Sequence, residues 1–171
     1  MLGAFDLTSD KDRVIRALKI MSNKTGLYGM LGGQSVDVEN DGKEISREML
    51  DYIYEHKTSA LIEASMMAGA ILGGADEEQT AQIEKAASAI GLAFQIQDDI
   101  LDVTSTSQEL GKPVHSDEKN NKVTYVTLFG VEKASEQVQK LSEQAEAVLE
   151  GLSSKNKFLT ALVMEMASRR K

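Results

Sequence analysis

The chain has 171 residues, 42% hydrophobic and 27% charged, and a formal net charge of -8 at pH 7. That length supports one domain with a sizeable core, and the acidity argues against nucleic acid as partner, because gripping a phosphate backbone needs a basic face. With no cysteine, disulfides and thiolate metal sites are excluded, and a reducing compartment is the natural setting.

The opening MLGAFDLTSDKDR has neither a basic n-region nor a long apolar run, so it does not read as a signal peptide. The most apolar stretch, Ala60 to Ala75, is short for a membrane span and carries Glu63. A cytoplasmic location is expected. One proline, 13 glycines and 5% aromatic residues, with no alternating strand pattern, place residues 1–171 in a single all-α domain.

In chain order, Ser9 or Asp10 is the N-cap of a first helix with Val14, Leu18 and Met21 on one face, ending between Asn23 and Gly26. The next piece, GLYGMLGGQSVDVEN, carries glycines at 26, 29, 32 and 33. Helical glycine costs about 1 kcal/mol against alanine, so the glycines signal close approach of another helix, with Tyr28, Leu31 and Val36 as core and Gln34 and Asp37 on a polar edge. After the turn at Asn40-Asp41-Gly42-Lys43, Ser46 caps a long helix from Arg47 to about Leu72, stapled by Ile45 and Leu50 and stopped at Gly73-Gly74. His56-Lys57-Thr58 sits where that helix passes from a polar half to a small apolar half, a place suited to a lysine reaching into a cleft. A snorkelling surface lysine is the alternative reading.

Asp76 to Gln79 opens the longest helix, about residues 77–104, as a variant capping box. Near its C-terminal end lie Asp98, Asp99 and Asp102. Spacings of three and four put Gln95 and these aspartates on one stripe, beside an apolar stripe of Leu92, Ile96, Ile100 and Val103. The helix dipole disfavours anions there, and like charges on adjacent turns repel by about 0.2–0.5 kcal/mol per pair. A bound hard cation such as Mg2+ would offset both effects; a solvated acidic face is the alternative. Thr104 to Lys122 then reads as a long polar loop carrying Lys112, Asp117, Lys119 and Lys122. Lysines beside a triple aspartate suggest a cleft where cations and ammonium groups grip a polyanion, a diphosphate above all. Asn121 is placed as cap of a short helix from Lys122 to Phe129, stopped by Gly130. An amphipathic covering helix follows, with Val131, Ala134, Val138, Leu141, Ala145, Val148, Leu149 and Leu152 inward. A last helix carries Phe158, Leu159, Leu162, Val163 and Met166 and ends in Arg169-Arg170-Lys171, which suits the helix dipole.

His-Lys-Thr at 56–58, Phe-Gln-Ile-Gln-Asp-Asp-Ile-Leu-Asp at 94–102, Gly-Lys at 111–112, Asn-Lys-Val-Thr-Tyr at 121–125 and Gly-Met-Leu-Gly-Gly-Gln at 29–34 with Asp37 together resemble the trans-isoprenyl diphosphate synthases, closest to bacterial farnesyl diphosphate synthases (geranyltranstransferases). The resemblance spans nearly the whole chain. It implies an isoprenoid synthase fold, antiparallel helices around a central cavity, and an enzyme that joins an allylic diphosphate head-to-tail to isopentenyl diphosphate with Mg2+. It further implies Asp98, Asp99 and Asp102 as metal ligands, Asp98 directly and the others directly or through water. Lys57, Lys112 and Lys122 would hold the leaving diphosphate, and Thr58 and Gln95 would face the carbocation and orient the final proton loss. Phe94 would line the cavity wall. In three respects the chain departs from the family pattern. It lacks the family's earlier aspartate motif with its arginine pair, it lacks the isopentenyl diphosphate site, and Val126 stands where bacterial members often have proline. The chain therefore reads as the C-terminal part of a homodimeric synthase, inactive by itself; the alternative is a non-catalytic subunit of a two-chain synthase.

Overall fold

A computed structural model of the chain describes residues 3, 6, 10–106, 122–152 and 155–169. These residues form helices α1 (Lys11–Thr25), α2 (Met30–Glu39), α3 (Arg47–Tyr54), α4 (Ala60–Leu72), α5 (Glu77–Thr104), α6 (Tyr125–Phe129), α7 (Val131–Gly151) and α8 (Lys157–Ser168). Among the described residues there is no strand, and no helix is long and apolar enough to cross a membrane.

Capping chemistry sets most boundaries. Asp10 accepts from the Asp12 amide at the start of α1, and Ser46 accepts from the Met49 amide at the start of α3. Asp76 and Gln79 close a reciprocal capping box on α5, satisfying amides that would otherwise have no partner. Two expectations shift. The cap of α6 is Thr124, paired reciprocally with Thr127, so the helix starts at Tyr125; Asn121 lies outside the described residues. The helix expected from Arg47 to Leu72 is continuous but changes pitch. Between α3 and α4 the five residues Glu55–Ser59 form a π-helical turn, in which the Ala60 amide reaches back to the Glu55 carbonyl.

The longest helix, α5, is the axis of the fold. It packs against α7, α4, the π-helical turn, α8, α6 and α3, while α1 covers the outer side of α4. Around its C-terminal half, Leu50, Ile53, Ile96, Ile100, Val138 and Leu141 form one core cluster; around its N-terminal half, Met67, Ile83, Ile90, Leu149 and Val163 form another. Ile96 is fully enclosed, worth about 1.5–3 kcal/mol for a side chain of that size. Not every expected core residue is inside. Tyr28 and Leu31 are 93% and 50% exposed, because the α1–α2 corner turns them away from α3 and the π-helical turn, the elements against which α2 packs. In α8, for which no inward face was assigned from sequence, Phe158 is 75% exposed and Val163 is buried.

Candidate functional site

The π-helical turn is wedged between two glycines. A Cβ on Gly33 of α2 would stand 2.5 Å from the Lys57 amide nitrogen, and one on Gly91 of α5 would stand 2.5 Å from Ser59 Oγ. Neither contact leaves room for a side chain, so α2 and α5 approach the turn on a backbone that only glycine provides. A π-helical turn is uncommon and frequently marks a functional position. Here it holds Lys57 and Thr58.

Both side chains are then fixed by partners on the two flanking helices. Lys57 Nζ donates to Asp37 Oδ2 at 2.5 Å, and Lys122 Nζ lies 3.4 Å from Asp37 Oδ1. Burial by itself would raise the Asp37 carboxyl, but the hydrogen bond from Lys57 and the charges of Lys122 and Lys57 outweigh it and hold the group below the usual range. Thr58 Oγ1 donates to Gln95 Oε1 at 2.8 Å, which ties the turn to α5 one turn before Asp98.

At that end of α5 the aspartates do not share one environment. Asp99 is 4% exposed, and its Oδ2 accepts from the Tyr54 hydroxyl at 2.5 Å and from the Tyr125 amide at 2.9 Å. The Tyr125 amide belongs to the open N-terminus of α6, so Asp99 satisfies a donor that the helix leaves unpaired. The single polar stripe expected from spacing is thus split: Asp99 is turned inward with Ile96 and Ile100, while Asp98 is half-buried. Asp102 is buried, at 5%. Asp98 Oδ1 accepts from Arg169 Nη2 at 3.1 Å, and the same guanidinium sits 3.9 Å above the Phe94 ring. The like-charge repulsion expected at this spacing is met here by separate partners for Asp98 and Asp99.

The structure therefore joins Lys57 and Lys122 through Asp37, Thr58 to Gln95, and Asp98 and Phe94 through Arg169, while Asp99 is held apart on Tyr54 and Tyr125. Lys112 lies outside the described residues. Among the described residues no three His, Cys, Asp or Glu side chains gather closely enough to hold a metal ion. The accessible donors are hard carboxylate oxygens, suited to Mg2+ rather than to softer metals, and Asp98 already draws a positive partner. Two contributors were named from sequence without a role at the site. Asp37 is the hub of the lysine pair; its place four residues after Gly33 puts it on the face that meets the π-helical turn. Arg169 could be flagged only as part of a basic terminus. A separate cavity of about 650 Å³, lined by Met66, Gly69, Ile83, Leu149 and Leu159, lies at the other end of α5 and includes none of these residues.

Comparison with known proteins agrees in sequence and in shape. The chain is 41% identical over 168 residues to geranylgeranyl pyrophosphate synthase 4 of Arabidopsis thaliana, covering 96% of this chain and 45% of that one. It is 42% identical over 124 residues to farnesyl diphosphate synthase of Geobacillus stearothermophilus, covering 72% of this chain and 42% of that one. The geranyltransferase of Helicobacter pylori, solved with magnesium and isoprenyl diphosphate, superposes with a TM-score of 0.79 at 30% identity, over 95% of this chain and 54% of that one. The chain thus spans about half the length of the relatives it matches, and its all-α architecture is that of the terpenoid synthase fold. The polyprenyl synthetase profile matches residues 2–162, and the chain belongs to that family.

Proposed function

We propose that this chain forms the half of a short-chain prenyl diphosphate synthase, of farnesyl type, that carries the second aspartate motif and the leaving-group site. The complementary aspartate motif and the isopentenyl diphosphate site come from residues ahead of it or from a partner chain. The observation that carries the reading is the surplus positive charge of Lys57 and Lys122 around one Asp37 carboxylate, tied through Thr58 and Gln95 to the α5 turn that bears Asp98.

In this reading the allylic carbon–oxygen bond breaks to give a diphosphate anion and a carbocation. Lys57 and Lys122, together with Lys112, hold the anion as it forms, where fixed positive charge is worth most. The Thr58 and Gln95 oxygens face the cation and orient it, so that the double bond of isopentenyl diphosphate adds head-to-tail and the released proton passes to the diphosphate. Phe94 walls the cavity. Asp98 would hold Mg2+ directly, and the buried Asp99 and Asp102 would act directly or through water. When bound, that ion supplies Lewis-acid charge to the diphosphate oxygens. The farnesyl assignment rests on the sequence resemblance; the named relatives include both farnesyl and geranylgeranyl synthases.

The test is prenyl transfer from geranyl diphosphate and radiolabelled isopentenyl diphosphate. The purified 171-residue chain should show none, whereas the complete enzyme should make farnesyl diphosphate and lose several orders of magnitude in kcat on Asp98→Ala. Turnover by the isolated chain, or near-normal turnover by Asp98→Ala, would overturn the reading.

A further inference from the structure

Arg169, the residue that ends α8, is anchored entirely on one turn of α5. Its Nη2 donates to Asp98 Oδ1 at 3.1 Å and reaches the Phe94 carbonyl at 3.5 Å. Its guanidinium carbon stands 3.9 Å over the Phe94 ring, and its own carbonyl accepts from Gln97 Nε2 at 3.1 Å. Residues 94, 97 and 98 thus grip both the side chain and the backbone of Arg169, which distinguishes this contact from a stray surface ion pair. The grip is incomplete, because Arg169 Nε is buried without a hydrogen-bond partner, a penalty that the released residue would not carry.

We propose that Arg169 is a built-in counter-ion that closes Asp98 to metal, and that a divalent cation taken up at Asp98 must displace it. The guanidinium and the cation compete for the same carboxylate, and a fixed positive charge in contact with Asp98 opposes any cation arriving beside it. Once displaced, Arg169 no longer covers Phe94, so metal uptake also uncovers the ring. Arg169, at the end of α8, is by this means coupled to the aspartate motif, and the coupling is reciprocal: metal loosens Arg169 as much as docked Arg169 weakens metal binding. The inference rests on the reading of Asp98 as a metal ligand.

Two measurements test it, using Mn2+ alone as a paramagnetic probe. In the first, free Mn2+ is counted by electron paramagnetic resonance in titrations of the 171-residue chain and of its Arg169→Gln and Arg169→Lys variants. Arg169→Gln should bind Mn2+ about fivefold or more tightly than wild type, the lower bound of a typical coupling between sites, with Arg169→Lys between the two. In the second, wild-type chain is digested briefly with trypsin with and without Mn2+, and mass spectrometry separates cleavage after Arg169 from cleavage after Arg170. Trypsin must take the Arg169 side chain into its own pocket, so Mn2+ should accelerate the first cut relative to the second. Equal or weaker Mn2+ binding by Arg169→Gln, or an unchanged ratio of the two cuts, would overturn the proposal even if the variants fold poorly, since the digestion needs only wild type. If neither wild type nor Arg169→Gln takes up Mn2+ at millimolar concentration, Arg169 is not what keeps metal from Asp98 and the counter-ion proposal falls, whereas the metal reading of Asp98 is decided by Asp98→Ala in the complete enzyme.

Discussion

Two charged triads of opposite sign hold this molecule at different places, and their difference separates architecture from function. In one, Lys24 of α1 bridges Glu63 of α4 and Glu84 of α5, each at 2.5 Å. In the other, Asp37 of α2 bridges Lys57 of the π-helical turn at 2.5 Å and Lys122 ahead of α6 at 3.4 Å. One lysine between two glutamates leaves a net charge of -1; one aspartate between two lysines leaves +1. The Glu63 side chain is 6% exposed, on the most apolar of the described helices, so the first triad is a rivet that joins three helices. The lysines of the second are each 34% exposed around a carboxylate that is 12% exposed. Their surplus charge faces outward, over a backbone turn clamped by two glycines. A charge whose partners enclose it stabilises a fold, whereas one left in excess and reachable is open to a ligand, the role proposed above for Lys57 and Lys122.

Replacing Lys24 with Met should give the largest loss, about 3 kcal/mol, because it strands the buried Glu63 carboxylate. In a chain of this size that is a fall in Tm of about 6–12 °C, read by calorimetry or circular dichroism. A fall of less than 2 °C would show that Glu63 finds water and that the rivet reading is wrong. Gly91→Ala comes next, at about 1–3 kcal/mol, since the new methyl meets Ser59 in a packed core; a stabilised variant would mean that the π-helical turn is not wedged.

The two triads should also part company with pH. Asp37 is depressed when folded, so its contribution is complete at neutral pH and is lost as pH falls below the ordinary aspartate value near 3.9. For the Lys24 ammonium, burial lowers the pKa, but its hydrogen bonds and charges from Glu63 and Glu84 outweigh burial and raise it. A raised lysine contributes fully below its ordinary value near 10.4 and loses the contribution as pH rises through the folded value. Urea midpoints should therefore fall with acid in a way that Asp37→Asn blunts, and fall with alkali in a way that Lys24→Met blunts. Crossed results would interchange the roles. The smallest stability effect is expected of Lys122→Gln, about 0.5 kcal/mol for a partly exposed pair, together with weaker binding of inorganic pyrophosphate by titration calorimetry. Unchanged pyrophosphate affinity would remove Lys122 from the anion site.

Much of this was legible in the chain. Asp76 and Gln79 announced the start of α5, and the spacing of Ala134, Val138, Leu141, Ala145 and Leu149 announced the inward face of α7. The glycines at 33 and 91 signalled close approach before any partner was known, and the π-helical turn proved to be what approaches. The split between Asp98 and Asp99 was not legible, because a 100° step per residue leaves adjacent aspartates on either side of a face boundary. Which side each takes depends on Tyr54 and Tyr125, distant in sequence. The exposure of Tyr28, in the turn before α2, and of Leu31, in its first helical turn, was hidden for a related reason, since an apolar residue at a corner carries no mark of where the corner points.

Local information was enough for most of the helices, the caps of α1, α3 and α5, the acidic end of α5 and the family resemblance, because capping and periodicity act within a few residues. Only the tertiary structure decided that the helix through His56-Lys57-Thr58 widens into a π-helical turn and that Asp37 is the carboxylate between Lys57 and Lys122. It alone decided that Asp98 meets Arg169 while Asp99 meets two tyrosines. These pairings join residues far apart in the chain, and a charge chooses its partner by distance and burial, which no local pattern encodes.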